Sequence, residues 1–176
     1  RLQNMSRARS HPLSLAARST LATSLALVAF LGLTGLALDR AYFTGARSGL
    51  QDRLQSYVYA YLAGTEVTRG GKVLLPDTMP NSDFLRPASG LYASIDGDKG
   101  FHWESPSAIG RDLPMHRHLP PGRSVFQGPL DTDVGSVYIY RQGVVYDTPT
   151  QTAVKLTFSV AQSEVEFRRQ LAAYRH

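Results

Sequence analysis

The sequence predicts an α+β protein in which one transmembrane helix precedes a domain with a central antiparallel sheet, flanked by an N-terminal and a C-terminal helix. Three observations predict this fold class. Twenty uncharged residues lie near the N-terminus, apolar residues at helical spacing follow them, and several short strands then lead into a capped helix. Residues 39–176 are numerous enough to form one domain with its own core.

The uncharged run, residues 19–38, reads STLATSLALVAFLGLTGLAL. As a helix it rises about 1.5 Å per residue and extends roughly 30 Å, the thickness of the hydrocarbon core of a bilayer. A cleaved signal peptide usually has a shorter apolar region of about 7–15 residues before small residues at the cut, a role that Gly35 and Ala37 can fill. We therefore predict a retained transmembrane helix, with a cleaved signal peptide or a buried core helix as alternatives.

Basic residues are concentrated before this run. Residues 1–18 hold four arginines and no acidic residue, whereas residues 39–176 carry 15 basic and 14 acidic side chains. By the positive-inside rule, residues 1–18 form a cytoplasmic tail and residues 39–176 lie outside, in the periplasm of a bacterium. Because the charges of the exported part are nearly balanced, it offers no basic surface for phosphates, and no nucleic-acid partner is predicted.

The segment 39–63 places apolar residues at steps of three and four, which is typical of one face of an α-helix. Two interpretations of that face remain open. It packs on the sheet of its own domain, or it also forms a seam with a second copy, since the spacing suits a parallel helix pair. The residues assigned to the dimer seam are Phe43, Leu50, Leu54, Tyr57 and Tyr61.

Short strands follow, separated by glycine- and proline-rich turns. The predicted strands are Lys72–Leu75, Leu91–Ile95, Phe101–Ser105, Ser124–Leu130, Ser136–Tyr140 and Ala153–Val160. Residues 96–100 form a hairpin turn, residues 131–135 and 141–143 form further turns, and the proline-rich residues 111–123 form a loop. The last strand alternates most regularly, because Val154, Leu156, Phe158 and Val160 share one face.

The last predicted element is a helix that begins near Ser163. Ser163 and Glu166 match a capping box, in which two side chains satisfy free backbone N–H groups at the start of a helix. Phe167, Leu171 and Tyr174 fall on one face of this helix. Since the preceding strand and this helix lead the chain back toward the membrane, we expect a second membrane span soon after residue 176.

Two acidic turns qualify as candidate cation sites. Asp131 and Asp133 lie in one turn and suit weak binding of Ca²⁺ or Mg²⁺, or simply solvated turn positions. The turn DGDKG at residues 96–100, with Glu104, resembles a calcium loop at first glance. It departs from the EF-hand ligand positions, so a plain hairpin turn is the preferred interpretation.

Histidines are the other candidate metal ligands, and no catalytic site is predicted. His102, His116 and His118 can ligate a metal ion, but prolines on both sides of the last two favour a loop with solvated histidines. The absence of cysteine from the sequence excludes disulfides, thiolate ligands and cysteine nucleophiles. The sequence contains neither a Gly-x-Ser-x-Gly elbow nor a glycine-rich phosphate loop, so neither a catalytic residue nor a cofactor is predicted in this chain.

Three segments, taken in order, resemble the membrane-proximal sensor region of PhoQ-type bacterial two-component sensor histidine kinases. They read LALDRAYFTGARSGLQDRLQSYVYAYLAG, GLYASIDGDKGFHWES and AVKLTFSVAQSEVEFRRQLAAYRH. The resemblance covers residues 19–176 and implies a PAS-like (PDC-type) periplasmic sensor domain and a homodimer in the lipid bilayer of the inner membrane. It also implies that the last helix, with Phe167, Leu171 and Tyr174, transmits the signal to the membrane.

The resemblance further implies a cytoplasmic kinase part that uses ATP and Mg²⁺ and acts on a cognate response regulator. No histidine of this chain lies in the phosphoacceptor context of the family, so no catalytic residue carries over. Several PhoQ-type sensors meet divalent cations through an acidic patch, whereas residues 39–176 contain no run of three acids, so the small ligand or cation that acts as stimulus stays open. The alternatives are another membrane receptor, such as a diguanylate cyclase or chemoreceptor, and an anchored or secreted periplasmic binding protein.

Overall fold

The computed structural model describes residues 14–148 and 153–174. The chain divides into two compact units, Arg1–Gly45 and Ala46–His176. Helix α1 (Leu15–Gly64) begins in the first unit and ends in the second. Its apolar part contains residues 19–38 and is long and apolar enough to cross a membrane, and none of that part is buried within the protein. The predicted helix is therefore confirmed, and its composition is that of a membrane span.

The second unit is an α+β domain, as predicted. Its described residues form two antiparallel sheets, of which the larger has five strands in the order β4-β3-β7-β6-β5. The strands are β1 (Glu66–Val67), β2 (Val73–Leu74), β3 (Leu91–Gly97), β4 (His102–Glu104), β5 (Ser124–Thr132), β6 (Gly135–Tyr146) and β7 (Val154–Ser163). Helix α2 (Glu164–Ala173) follows β7 directly, and short 3₁₀ turns lie at Ser82–Phe84 and Pro106–Ala108.

One face of the five-stranded sheet, the helix face, packs against the C-terminal half of α1. The alternation predicted for β7 is confirmed, because Val154, Leu156, Phe158 and Val160 all lie in this core. The core residues from α1 are Leu50, Leu54, Val58 and Tyr61, each at most 1% exposed. Burying a leucine or valine to this degree is worth roughly 1.5–3 kcal/mol per side chain, so α1 is an integral part of the domain core.

This packing bears on the predicted dimer seam. Leu50, Leu54 and Tyr61 are buried inside the protomer, and Tyr57 is half-buried with its ring edge against Phe84. Their apolar surface is already used within one copy of the domain. Phe43, in the first unit, is 59% exposed. Dimerisation through α1 stays a prediction, but any seam near residues 50–61 has to use the opposite, exposed face of the helix.

One predicted turn is wrong, and a second is wrong in its extent. Residues 141–143 do not form a turn, since β6 runs without interruption from Gly135 to Tyr146. Gly143 is required there because a β-carbon at this position would lie 2.6 Å from the carbonyl oxygen of Leu119 and also too close to that of Pro120. The glycine therefore marks a close backbone approach rather than a turn. Likewise β3 continues through residue 97, which leaves Asp96 inside a strand.

Helix α2 forms as predicted, but only one half of the predicted capping box is present, because the backbone N–H of Ser163 donates to the carbonyl oxygen of Gly90 at 2.8 Å. The side chain of Ser163 accepts a hydrogen bond from the backbone N–H of Glu166 at 3.3 Å. Phe167 is 8% exposed and Leu171 packs against the same core, whereas Tyr174 is 88% exposed. The face predicted from spacing thus meets the core at its first two positions only.

Replacing Gly49 with Ala is expected to raise the free energy of unfolding by about 0.5–1 kcal/mol. Gly49 lies inside α1, and a β-carbon there meets no atom within 4 Å, so the change removes unfolded-state freedom without a clash. Urea denaturation of the full chain in detergent, followed by the fluorescence of its single tryptophan, Trp103, measures the change. A decrease in stability would contradict an unstrained helical position here.

Candidate functional site

The face of the sheet opposite α1, the loop face, is covered by residues 105–123. Leu113 and Met115 of this segment are buried against Tyr92, Val137 and Ile139 of the strands. The backbone N–H of Leu119 also donates a hydrogen bond to the side chain of Thr157 at 3.0 Å. The predicted loop is therefore a packed cover, which removes a row of polar strand residues from water.

The hairpin of β3 and β4 brings three chemically active side chains to this face. In its register Asp96 lies directly opposite His102, and Glu104 lies two residues further along β4. Because side chains alternate along a strand, His102 and Glu104 share one face while Trp103 points to the helix face. There the Trp103 ring lies 5.7 Å from that of Tyr61.

The covering segment adds a second histidine to this group. The His116 ring lies 4.3 Å from the His102 ring, at an interplanar angle of 39°. His102 Nδ1 is 2.6 Å and His116 Nδ1 is 3.4 Å from the same atom, Asp96 Oδ1. The two Nε2 atoms lie 3.0 Å and 3.5 Å from Glu104 Oε1. Two imidazoles thus lie side by side between two carboxylates, and we call Asp96, His102, Glu104 and His116 the histidine–carboxylate cluster.

The electrostatics of this cluster favour a cation. Burial by itself lowers the pKa of His102, but the hydrogen bonds from its ring to Asp96 and Glu104, with the negative charges of both, outweigh burial and raise the pKa above its ordinary value. The Asp96 side chain is only 7% exposed, and its Oδ2 atom has no hydrogen-bond partner among the described residues. A buried carboxylate oxygen without a donor strongly attracts positive charge.

A row of buried polar side chains continues across the sheet beside the cluster. Ser94 pairs with Ser159, and Ser159 pairs with Arg141, across β3, β7 and β6. Arg141 is 1% exposed and donates from Nη2 to the carbonyl oxygen of Pro114. Both serine hydroxyls, and Nε and Nη1 of Arg141, have no partner among residues 14–148 and 153–174. Burial lowers the pKa of Arg141, the charge of Arg117 lowers it further, and that of Asp96 raises it.

Chemically, the cluster offers the ligand set of a borderline metal ion. In the part of the chain that the structure describes, one group of three possible metal ligands is found, namely Asp96, His102 and His116, with donor atoms within 4.8 Å of one another. Imidazole nitrogens combined with a carboxylate suit Zn²⁺ and related transition metals, whereas Ca²⁺ and Mg²⁺ prefer oxygen ligands only.

The other predicted site residues lie elsewhere. Asp131 is exposed and accepts a hydrogen bond from Ser136 at 2.8 Å, and Asp133 is exposed in the turn between β5 and β6. Neither belongs to a group of three possible ligands among the described residues. His118 is exposed, as the prediction of solvated loop histidines requires, but the His116 ring packs against His102.

In the sequence the DGDKG hairpin and the histidines are two separate features, whereas the structure joins them. The missed signal is the position of the hairpin turn. With the turn at residues 98–100, Asp96 falls opposite His102, but a turn at residues 96–100 leaves Asp96 outside the strand pair. The approach of His116 carries no local sequence signal.

The comparisons with protein-family models, with curated proteins and with solved structures find no match to this chain. The α+β architecture, the apolar helix and the cluster are the three features that a function has to explain.

Replacing Ser159 with Ala is expected to raise the free energy of unfolding by about 1 kcal/mol, because it removes a buried hydroxyl that has no partner among the described residues. Ser107 is the matched control. It is equally buried, but its hydroxyl donates to the carbonyl oxygen of Leu91 at 2.7 Å, so Ser107→Ala is expected to cost about 1–3 kcal/mol. Urea denaturation measures both. Destabilisation by Ser159→Ala would show that this hydroxyl has a bound partner in solution.

Proposed function

We propose that this chain is the N-terminal, extracytoplasmic signal-sensing region of a bacterial sensor histidine kinase of the PhoQ type. One observation carries the proposal. A single helix, α1, contains both the apolar segment that can cross a membrane and the residues Leu50, Leu54, Val58 and Tyr61 of the domain core. A change in the packing of the sheet therefore acts on an element that also belongs to the membrane anchor.

Polar contacts add to this coupling between α1 and the strands. Arg53 donates to the side chain of Gln162 on β7 at 2.8 Å, and the Tyr146 hydroxyl of β6 donates to the carbonyl oxygen of Leu62 at 3.0 Å. Helix α2 starts at the end of β7, so both terminal helices of the domain respond to this strand. Small shifts of packed helices are a common device by which a bistable receptor changes state.

We assign the parts of the chain to positions across the inner membrane and name the partners of the protein. Residues 1–18 form the cytoplasmic tail, residues 19–38 span the inner membrane, and residues 39–176 form a PAS-like (PDC-type) domain in the periplasm. The proposed fold is supported by the five-stranded antiparallel sheet with a long helix packed on one face. The protein works as a homodimer. Its kinase part, which follows residue 176, uses ATP and Mg²⁺ and acts on a response regulator.

A chimera tests the proposal directly. Residues 1–176 are joined to the second membrane span and the kinase part of a well-characterised sensor kinase. Phosphorylation of the response regulator of that kinase is then expected to change with the stimulus that residues 39–176 sense. An alkaline phosphatase reporter fused after residue 176 is expected to be active, since the enzyme requires export. An inactive reporter would refute the assigned topology. A gene that encodes a cyclase or chemoreceptor output after residue 176, or none, would refute the kinase assignment.

A further inference from the structure

We propose that the histidine–carboxylate cluster is a binding site for a divalent transition metal ion of the Zn²⁺ class, with Asp96, His102 and His116 as its ligands. The site lies on the loop face, where strand β3, strand β4 and the covering segment meet. It is distinct from the acidic turn with Asp131 and Asp133, which offers oxygen ligands only.

The geometry already approaches that of a metal centre. Zn²⁺ holds its nitrogen and oxygen ligands at about 2.0–2.2 Å, so two ligands of one tetrahedral ion lie roughly 3.4 Å apart. The Nδ1 atoms of His102 and His116 lie 2.6 Å and 3.4 Å from Asp96 Oδ1, and one donor atom of each residue lies within 4.8 Å of the others. Adjustments of about an ångström bring all three to one ion.

Glu104 contacts the ring nitrogens of both histidines that do not face Asp96. Its Oε1 atom faces the Nε2 atoms of both imidazoles, at 3.0 Å from His102 and 3.5 Å from His116. When the Nδ1 atoms bind the metal, Glu104 accepts the Nε2–H groups and keeps both rings in the correct tautomer. Carboxylates in this outer position typically contribute roughly 10–100-fold to metal affinity.

The burial and the charge of the cluster both favour the binding of a cation. The Asp96 side chain is 7% exposed, and its Oδ2 atom has no partner among the described residues, so one carboxylate oxygen is free to move onto an ion. Two carboxylates balance the charge of a divalent ion, and the two imidazoles favour Zn²⁺ over Mg²⁺ or Ca²⁺. The 58% exposure of the His116 side chain provides a path from solvent.

Binding of such an ion would fix the covering segment to the sheet. His116 belongs to residues 105–123, whereas Asp96 and His102 belong to the hairpin, so the metal cross-links two separate parts of the domain. Trp103, between two cluster residues, touches Tyr61 of α1 on the other side of the sheet. That this ion acts as the stimulus rests on the proposed function, whereas its binding does not.

Calorimetric titration of the metal-stripped, untagged full chain in lipid nanodiscs with Zn²⁺ tests the proposal. One site is expected, weakened at least about 100-fold by His102→Ala or His116→Gln, and about 10–100-fold by Glu104→Gln. His118→Ala is the matched control, because this exposed histidine lies two residues from His116 and outside the cluster. It should bind Zn²⁺ like the wild type, and excess Mg²⁺ should not compete.

The emission spectrum of Trp103 verifies that each variant is folded. Equal Zn²⁺ affinity in the wild type and in a folded variant with both His102→Ala and His116→Gln would overturn the proposal, as would an equal loss in His118→Ala. The regulated chimera separates this inference from the proposed function. Zn²⁺ binding without any kinase response would refute the ion as stimulus but leave the site intact. A regulated chimera without Zn²⁺ binding would refute the site but leave the proposed function intact.

Discussion

Leu54→Asp is expected to lower the free energy of unfolding of the α+β domain by at least about 4 kcal/mol. Leu54 is fully buried between α1 and the sheet. The substitution loses the transfer free energy of the leucine, leaves a cavity, and places a carboxylate where it has neither water nor a partner. Since domains of this size are stable by only about 5–15 kcal/mol, this loss is a large fraction of the total stability.

Urea denaturation of the full chain, monitored by Trp103 fluorescence, measures the effect. Trp103 contacts Tyr61, which lies about two helical turns after Leu54 on the same helix. Ser56→Asp is the matched control, with the same new side chain at an exposed position of the same helix, and should change stability by less than about 0.5 kcal/mol. The dimer-seam interpretation of Leu54 makes the opposite prediction, a stable and folded monomer. Size-exclusion chromatography of Leu54→Asp distinguishes the two.

Gly143→Ala is expected to destabilise the domain by about 3 kcal/mol. The new β-carbon would lie against the backbone carbonyls of Leu119 and Pro120, which are not the flexible ends of side chains. Gly143 also exchanges hydrogen bonds with Gly122 and Arg123, at 2.9 Å each, so β6 and the covering segment cannot simply separate. Overpacking of this kind typically costs about 1–3 kcal/mol and sometimes more.

Gly49→Ala makes the same chemical change with the opposite expected sign, so the two variants form a matched pair for urea denaturation. Gly143→Ala should also weaken Zn²⁺ binding, because it displaces the segment that carries His116. A Gly143→Ala protein as stable as the wild type would show that residues 119–123 lie further from β6 than in this structure. Unchanged Zn²⁺ affinity in a destabilised variant would show that His116 is held independently of Pro120.

The sequence predicts local features well where one physical effect dominates. The uncharged run at residues 19–38 indicates a long apolar helix by length alone, and α1 contains it. Alternation from Val154 to Val160 identifies β7 and its apolar core face, because side chains alternate between the two faces of a strand. The burial of Thr157 and Ser159 on the other face does not follow from this pattern. Ser163 and Glu166 identify the start of α2, because the capping hydrogen bond is local.

The tertiary structure decides what those features are used for. Apolar spacing alone cannot tell whether Leu50, Leu54 and Tyr61 face a sheet or a second helix, since both partners bury the same surface, and packing on β3 and β7 decides it. Gly143 resembles a turn residue until the backbone of residues 119–120 lies against it.

The same holds for the histidine–carboxylate cluster. The sequence by itself determined the membrane-type helix, the alternating strands, the capped last helix and the presence of histidines near an acidic hairpin. Only the tertiary structure decided that Asp96 faces His102, through the register of the hairpin, and that His116 joins them, through the path of a covering segment. Register and loop path depend on contacts between residues far apart in the chain, which no local pattern encodes.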